Sequence, residues 1–217
     1  VTHNNAATAN WMPYNDIDAL WDSNDELHIV WVATDWKRYR EESFLGYGAR
    51  IFHWSEMFGN AITDINGSTS RTAVAQDYDP ILCNAGAFNQ NLAKPQLSEC
   101  NNNLYCLFVD LWDGHDDPAN PDCSKRGYDG DPSGAVNGEL MVSISDDNGI
   151  AWDLPHNLTN TPTPHCDSVG GVVGPCDSDH WPSMPPHGFS ITTADGAING
   201  ATILPRQVSY PNVPGTE

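Results

Sequence analysis

The stretch Ser145-Asp146-Asp147-Asn148-Gly149-Ile150-Ala151-Trp152 reads S-x-D-x-G-x-x-W and follows the strand-like run Gly138-Glu139-Leu140-Met141-Val142-Ser143-Ile144. Each fixed residue has a physical task. Asp147 turns its carboxylate back onto backbone N–H groups, as turn aspartates do. Gly149 supplies the positive φ that a tight hairpin needs. Trp152 opens the next strand and covers the turn with a large apolar face. The segment therefore predicts a strand, a stapled turn and a second strand.

A weak internal repeat extends this reading. Leu20-Trp21-Asp22-Ser23-Asn24-Asp25-Glu26-Leu27-His28-Ile29-Val30-Trp31-Val32 reads as strand, polar turn, strand. So does Leu97-Ser98-Glu99-Cys100-Asn101-Asn102-Asn103-Leu104-Tyr105-Cys106-Leu107-Phe108-Val109, with Leu104 matching Leu27 at an offset of 77 residues. Both second strands are short, apolar and rich in β-branched or aromatic residues, as buried strands are. A third strand is expected at residues 49–54 in one unit and 139–145 in the other. A fourth is expected near 61–65 and again at 152–158. A further unit begins at His180-Trp181-Pro182-Ser183-Met184.

The S-x-D-x-G-x-x-W segment resembles the Asp-box, or BNR repeat, of sialidase-like β-propellers, where it joins the third and fourth strands of a blade. Residues 138–161, 166–184 and 18–31 are similar to secreted bacterial propeller proteins that carry BNR repeats. The resemblance implies an all-β fold, a β-propeller of four-stranded antiparallel blades. It gives Ser145, Asp147, Gly149 and Trp152 a structural role, remote from any active site. Blade-like units are expected at about 15–66 and 91–159, with a partial unit at about 180–217. A closed propeller needs at least about four blades, so the chain reads as a partial propeller or a fragment of a longer one.

Charge limits the partners. The net charge is −20, with 9 Lys+Arg against 29 Asp+Glu. Phosphate binding needs clustered cations, so a nucleic-acid partner is not expected. Adhesion to anionic membranes is disfavoured for the same reason. No apolar run approaches the ~20 residues that span a bilayer, so no membrane insertion is expected. Such acidity fits bound divalent cations or a secreted protein kept soluble by its charge.

Six cysteines, at 83, 100, 106, 123, 166 and 176, suit an oxidising compartment, either extracellular or at the cell surface. Cys166 and Cys176 bracket a Gly-rich loop and form the first expected disulfide. Cys83, Cys100, Cys106 and Cys123 have three possible pairings, and a set of free buried thiols is the alternative. Two N-x-S/T sequons stand at Asn66 and Asn157.

Three groups of residues offer chemistry. Asp129-Gly130-Asp131-Pro132-Ser133-Gly134 places oxygen ligands at alternate positions before a glycine, as calcium loops do, and Asn137 and Glu139 would complete the set. The competing reading is a solvated acidic turn. Trp36, Arg38, Tyr39, Arg40 and Tyr47 combine aromatics with the chain's one basic cluster, a surface for a glycan or a protein. Sialidase chemistry requires three arginines around the substrate carboxylate. Only Arg50, followed by Ile51, loosely fits that pattern, and Phe52 stands where the family has proline. His28 and His53 read as core histidines, and Trp21, Trp31, Trp54, Trp112 and Trp152 as packing residues.

The expected function is a non-catalytic secreted or cell-surface module that binds a glycan or a protein, with calcium as its cofactor. One alternative is a carbohydrate-active hydrolase completed by further blades. The other is a structural subunit that assembles through open blade edges. Carboxylates gathered with an arginine would favour an enzyme, whereas an exposed aromatic surface would favour a binding module.

Overall fold

A computed structural model describes residues 11–35, 49–59, 63–64, 92–111, 138–160, 179–188, 191–193, 196–198 and 208–209. They form antiparallel β-structure with one short 3-10 turn, Glu56–Phe58. Strands β1 (Trp11–Trp21), β2 (Leu27–Asp35), β3 (Ala49–Ser55) and β4 (Thr63–Asp64) pair consecutively into a first sheet. Strands β5 (Leu92–Cys100), β6 (Asn103–Asp110), β7 (Glu139–Ser145) and β8 (His156–Asn157) pair in the same way into a second. Two smaller pairs follow: β9 (Asp179–His180) with β12 (Val208–Ser209), and β10 (Ile191–Thr193) with β11 (Gly196–Ile198). No helix among these residues is long and apolar enough to cross a membrane.

The two sheets repeat their irregularities as well as their order. Register slips between Pro13 and Ile17 in β1 and between Ala93 and Gln96 in β5. Prolines at or within each slip, Pro13 and Pro95, give the ladder no N–H, which a bulge tolerates. Asp16 (φ 50°) and Lys94 (φ 53°) carry the positive φ of the two bulges. The hairpins differ. Asn101 and Asn102 both have positive φ between Cys100 and Asn103, the conformation of a two-residue type I′ turn. Asp22 to Glu26 make a longer turn, closed by backbone bonds from Asp22 N to Glu26 O (3.0 Å) and from Asp25 N to Asp22 O (3.2 Å).

Strand alternation decides what the sheets bury. In β3 the odd-numbered residues are buried and the even-numbered ones half-buried. Val30, Val32, Ala49 and Ile51 of the first sheet meet Leu92, Leu97, Leu104, Cys106, Phe108 and Met141 of the second in one apolar layer. The other face of the second sheet, with Leu107, Val109, Leu140 and Val142, packs around Met184. The 77-residue offset maps His28, Val30 and Val32 onto Tyr105, Leu107 and Val109. The corresponding face of each sheet is thus turned toward the following part of the chain. Full burial of each such aliphatic or aromatic side chain contributes about 1.5–3 kcal/mol, so Phe108→Ala would cost about 3–5 kcal/mol.

Side-chain acceptors clamp neighbouring units. Asp16 Oδ2 accepts from Lys94 N at 3.0 Å, and Asp18 Oδ2 from Leu97 N at 2.8 Å. Gln96, which like Asp18 stands two residues after a bulge residue, accepts from Met184 N at 2.8 Å. Glu99 receives both the N–H and the hydroxyl of Ser23. Its backbone bonds Pro186 O and Gly188 N.

Several expectations are corrected. β8 starts at His156, so Trp152 does not open a strand; Asp153 N instead bonds Ile144 O at 2.8 Å, and Pro155 has no N–H to pair. Trp21 is exposed, as is Trp181, which lies under the Lys94 ammonium at 3.9 Å. Cys100 and Cys106 are buried free thiols. Cys83, Cys123, Cys166 and Cys176 lie outside the described residues.

Candidate functional site

Two features stand out: a buried polar seam between the sheets and an aromatic face on the first sheet.

The seam begins at the turn after β7. Ser145 Oγ donates to Asp147 Oδ1 at 2.8 Å and accepts from Gly149 N at 2.7 Å. Asp147 Oδ1 also accepts from Ala151 N at 2.9 Å. Gly149 has φ 85°, and a Cβ there would lie 2.2 Å from His53 Cε1. The turn therefore seats its glycine directly against a histidine of the other sheet. Trp152 packs on the shared apolar layer and meets His53 edge-on, with centroids 5.3 Å apart.

His53 on β3 stacks on His28 on β2, with His28 Nδ1 and His53 Nε2 at 3.0 Å and both side chains fully buried. Burial, with His28 beside it, pulls His53 down to about 3 against the opposing hydrogen bond to the Gly149 backbone. His53 is thus neutral at neutral pH. Its Nε2 faces His28, and the ring is also hydrogen-bonded to the Gly149 backbone. One of the two facing nitrogens, His28 Nδ1 or His53 Nε2, carries the shared proton. The Nε2 of His28, on the far side of that ring, is buried.

That nitrogen points at Asp22 Oδ2 from 3.5 Å and makes no hydrogen bond. Asp22 is itself held by the turn. Its Oδ1 accepts from Asn24 N (2.9 Å) and Glu26 N (2.8 Å), and its Oδ2 from Asn24 Nδ2 (3.2 Å). Burial would raise the Asp22 carboxyl, but the Glu26 and Asn24 backbone, the Asn24 side chain and the neighbouring His28 imidazole together outweigh it and hold the group below its ordinary value. Ligand atoms of Asp22, Glu26 and His28 all lie within 4.8 Å of one another.

The aromatic face is built by cross-strand rows. Ile17, Trp31 and Phe52 form one row, and Ala19, Ile29 and Trp54 the next; Trp21 pairs with Leu27. Ile17 is 71% and Trp21 58% exposed. Trp31 and Trp11 both contact Phe52, and the Arg50 guanidinium lies 4.6 Å over Trp11. By the 77-residue offset, Leu27, Ile29 and Trp31 correspond to Leu104, Cys106 and Phe108, which the second sheet buries against the first.

Ser145, Asp147, Gly149 and Trp152 are brought together as one stapled turn. Of the calcium ligands expected from the sequence, Glu139 is buried on β7 and accepts from the Thr159 hydroxyl at 2.7 Å. Asp129, Asp131, Ser133 and Asn137 lie outside the described residues, as do Trp36, Arg38, Tyr39, Arg40 and Tyr47. The sequence reading took His28 as a core histidine and Asp22 to Glu26 as a polar turn, and did not join the three. Their D-x-x-x-E-x-H spacing across a hairpin turn brings them close, but does not by itself mark a ligand set. No family model matches this chain, and no curated protein matches it.

Proposed function

We propose that this chain is a non-catalytic, secreted module of β-propeller type that binds a protein partner through the aromatic face of its first sheet. The observation that carries the reading is the row system Ile17–Trp31–Phe52 and Trp21–Leu27, with Ile17 and Trp21 exposed and the others half-buried, the repeat-equivalent of a face that the second sheet buries. A sheet face of alternating large apolar side chains suits another β-sheet about 10 Å away. The occupant we assign is a second copy of the chain. The carboxylates of Asp16 and Asp18 support binding over hydrolysis, because they hold backbone N–H groups of β5, and Arg50 stands over Trp11. A calcium loop remains part of the proposal. Since Glu139 is committed to Thr159, it would be built from Asp129, Asp131, Ser133 and Asn137.

Sedimentation velocity of the full chain between about 1 and 100 µM tests the assignment, a range corresponding to binding free energies of roughly −8 to −5 kcal/mol. The wild type should dimerise, whereas Ile17→Glu and Trp21→Glu should remain monomeric. Both sites are exposed, so the variants should keep their stability to within about 0.5 kcal/mol. A wild type that stays monomeric throughout, with tryptophan fluorescence that responds to oligosaccharides, would overturn the protein reading in favour of a glycan.

A further inference from the structure

We infer that Asp22, Glu26 and His28 form a binding site for a divalent transition-metal cation of the zinc class, oriented from behind by His53. The inference goes beyond the docking face and does not depend on it.

Three observations carry it. The first is the Nε2 of His28, fully buried, without a hydrogen-bond partner, and 3.5 Å from a carboxylate oxygen of Asp22. A buried nitrogen left without a partner beside a carboxylate is costly unless a cation joins the two. A proton shared as a charge-assisted bond would draw the atoms to about 2.7–2.9 Å. The observed 3.5 Å is instead the separation of two ligands on one tetrahedral ion, roughly 3.3–3.5 Å for bonds of about 2.0–2.2 Å. The second is charge and donor type. Two carboxylates and one imidazole supply two negative charges and a nitrogen. That set suits zinc better than calcium or magnesium, which take oxygen.

The third is the support around the ligands. A metal-bound histidine usually passes its other N–H to an acceptor that fixes ring orientation. Here that acceptor is His53 Nε2 at 3.0 Å, itself fixed by the Gly149 backbone. Asp22 is fixed by Asn24 and Glu26. Glu26 is only half-buried and the turn residues Ser23, Asn24 and Asp25 are exposed, so an ion has a path from solvent. One position on the ion is left for water.

The test uses the full chain and Zn2+ alone as probe, in calorimetric titration and in 15N spectra of the imidazoles. Zn2+ should shift the His28 Nε2 resonance. Glu26→Gln should weaken binding by at least about ten-fold, while Asp25→Asn, in the same turn but outside the ligand set, should change it less than about two-fold. Three results would each overturn the site: no saturable binding, a His28 resonance unmoved by Zn2+, or Glu26→Gln binding as tightly as the wild type. If Glu26→Gln does not fold, the wild-type His28 resonance decides alone.

Discussion

Replacing Gly149 by alanine tests the contact between the two sheets at its tightest point. The new Cβ would lie 2.2 Å from His53 Cε1 and 2.7 Å from Nδ1, distances at which an atom must move. His53 has little freedom to move, since it is stacked on His28, touched edge-on by Trp152 and fully buried. Two costs add. An L-residue held at φ 85° costs about 1–3 kcal/mol. Forcing an extra carbon into a packed interior costs about 1–3 kcal/mol more. The total, about 2–6 kcal/mol, corresponds to a fall in Tm of roughly 4–24 °C for a domain of this size. Urea unfolding, followed by tryptophan fluorescence, gives the loss directly. A double-mutant cycle with His53→Ala separates the two costs, because truncating the imidazole makes room for the methyl group. The crowding share should disappear in that background, and the φ share should persist. Identical losses in both backgrounds, or a loss below about 1 kcal/mol in the wild type, would refute the seating of this glycine on His53.

Acid should weaken the fold through the histidine pair. His53 is held at about 3 when folded and returns to its ordinary 6.5 when unfolded. Between those values the unfolded chain binds the extra proton, so stability falls as pH drops from about 6.5 toward 3. In metal-free buffer the loss by pH 5 is about 2 kcal/mol, read from urea midpoints across pH. Ser145→Ala removes a buried hydroxyl that both donates and accepts, and should cost about 1–3 kcal/mol by the same assay. Asp18→Ala strips the Leu97 N–H of its acceptor and should cost about 1–3 kcal/mol, with no change in the dimerisation tested at Ile17. Burial pushes the Cys106 thiol well up. Mass-mapped alkylation at neutral pH should therefore leave Cys106 unlabelled in the native chain and label it only on unfolding.

Strands built from short apolar runs were legible. β2, β3, β6 and β7 fall where Leu27–Val32, Ala49–Trp54, Leu104–Val109 and Glu139–Ser145 place them, because their composition and length signal strands without help from distant residues. The Ser145–Trp152 staple was legible too, since all its bonds close within eight residues. Trp21 was misread because tryptophan in a strand suggests a core position. Alternation instead puts it with Ile17 on the outward face. The Asp22, Glu26 and His28 cluster escaped notice for a different reason. Its meaning depends on how His28 is held by His53 from β3, and His53 in turn by Gly149 from the other sheet. No local spacing carries that chain of dependence.

The aromatic face has a consequence for symmetry. Among the described residues, the inward face of the first sheet is covered by the second, and the second sheet's far face packs around Met184. A second copy docking by the same face offers Trp31 and Trp21 its own Trp31 and Trp21. Such a contact would be isologous: it would relate the copies by a two-fold axis and close at two. Every residue in it occurs twice. A single substitution at Ile17 removes two contacts at once, so its effect on the association free energy is doubled and its effect on the constant is squared.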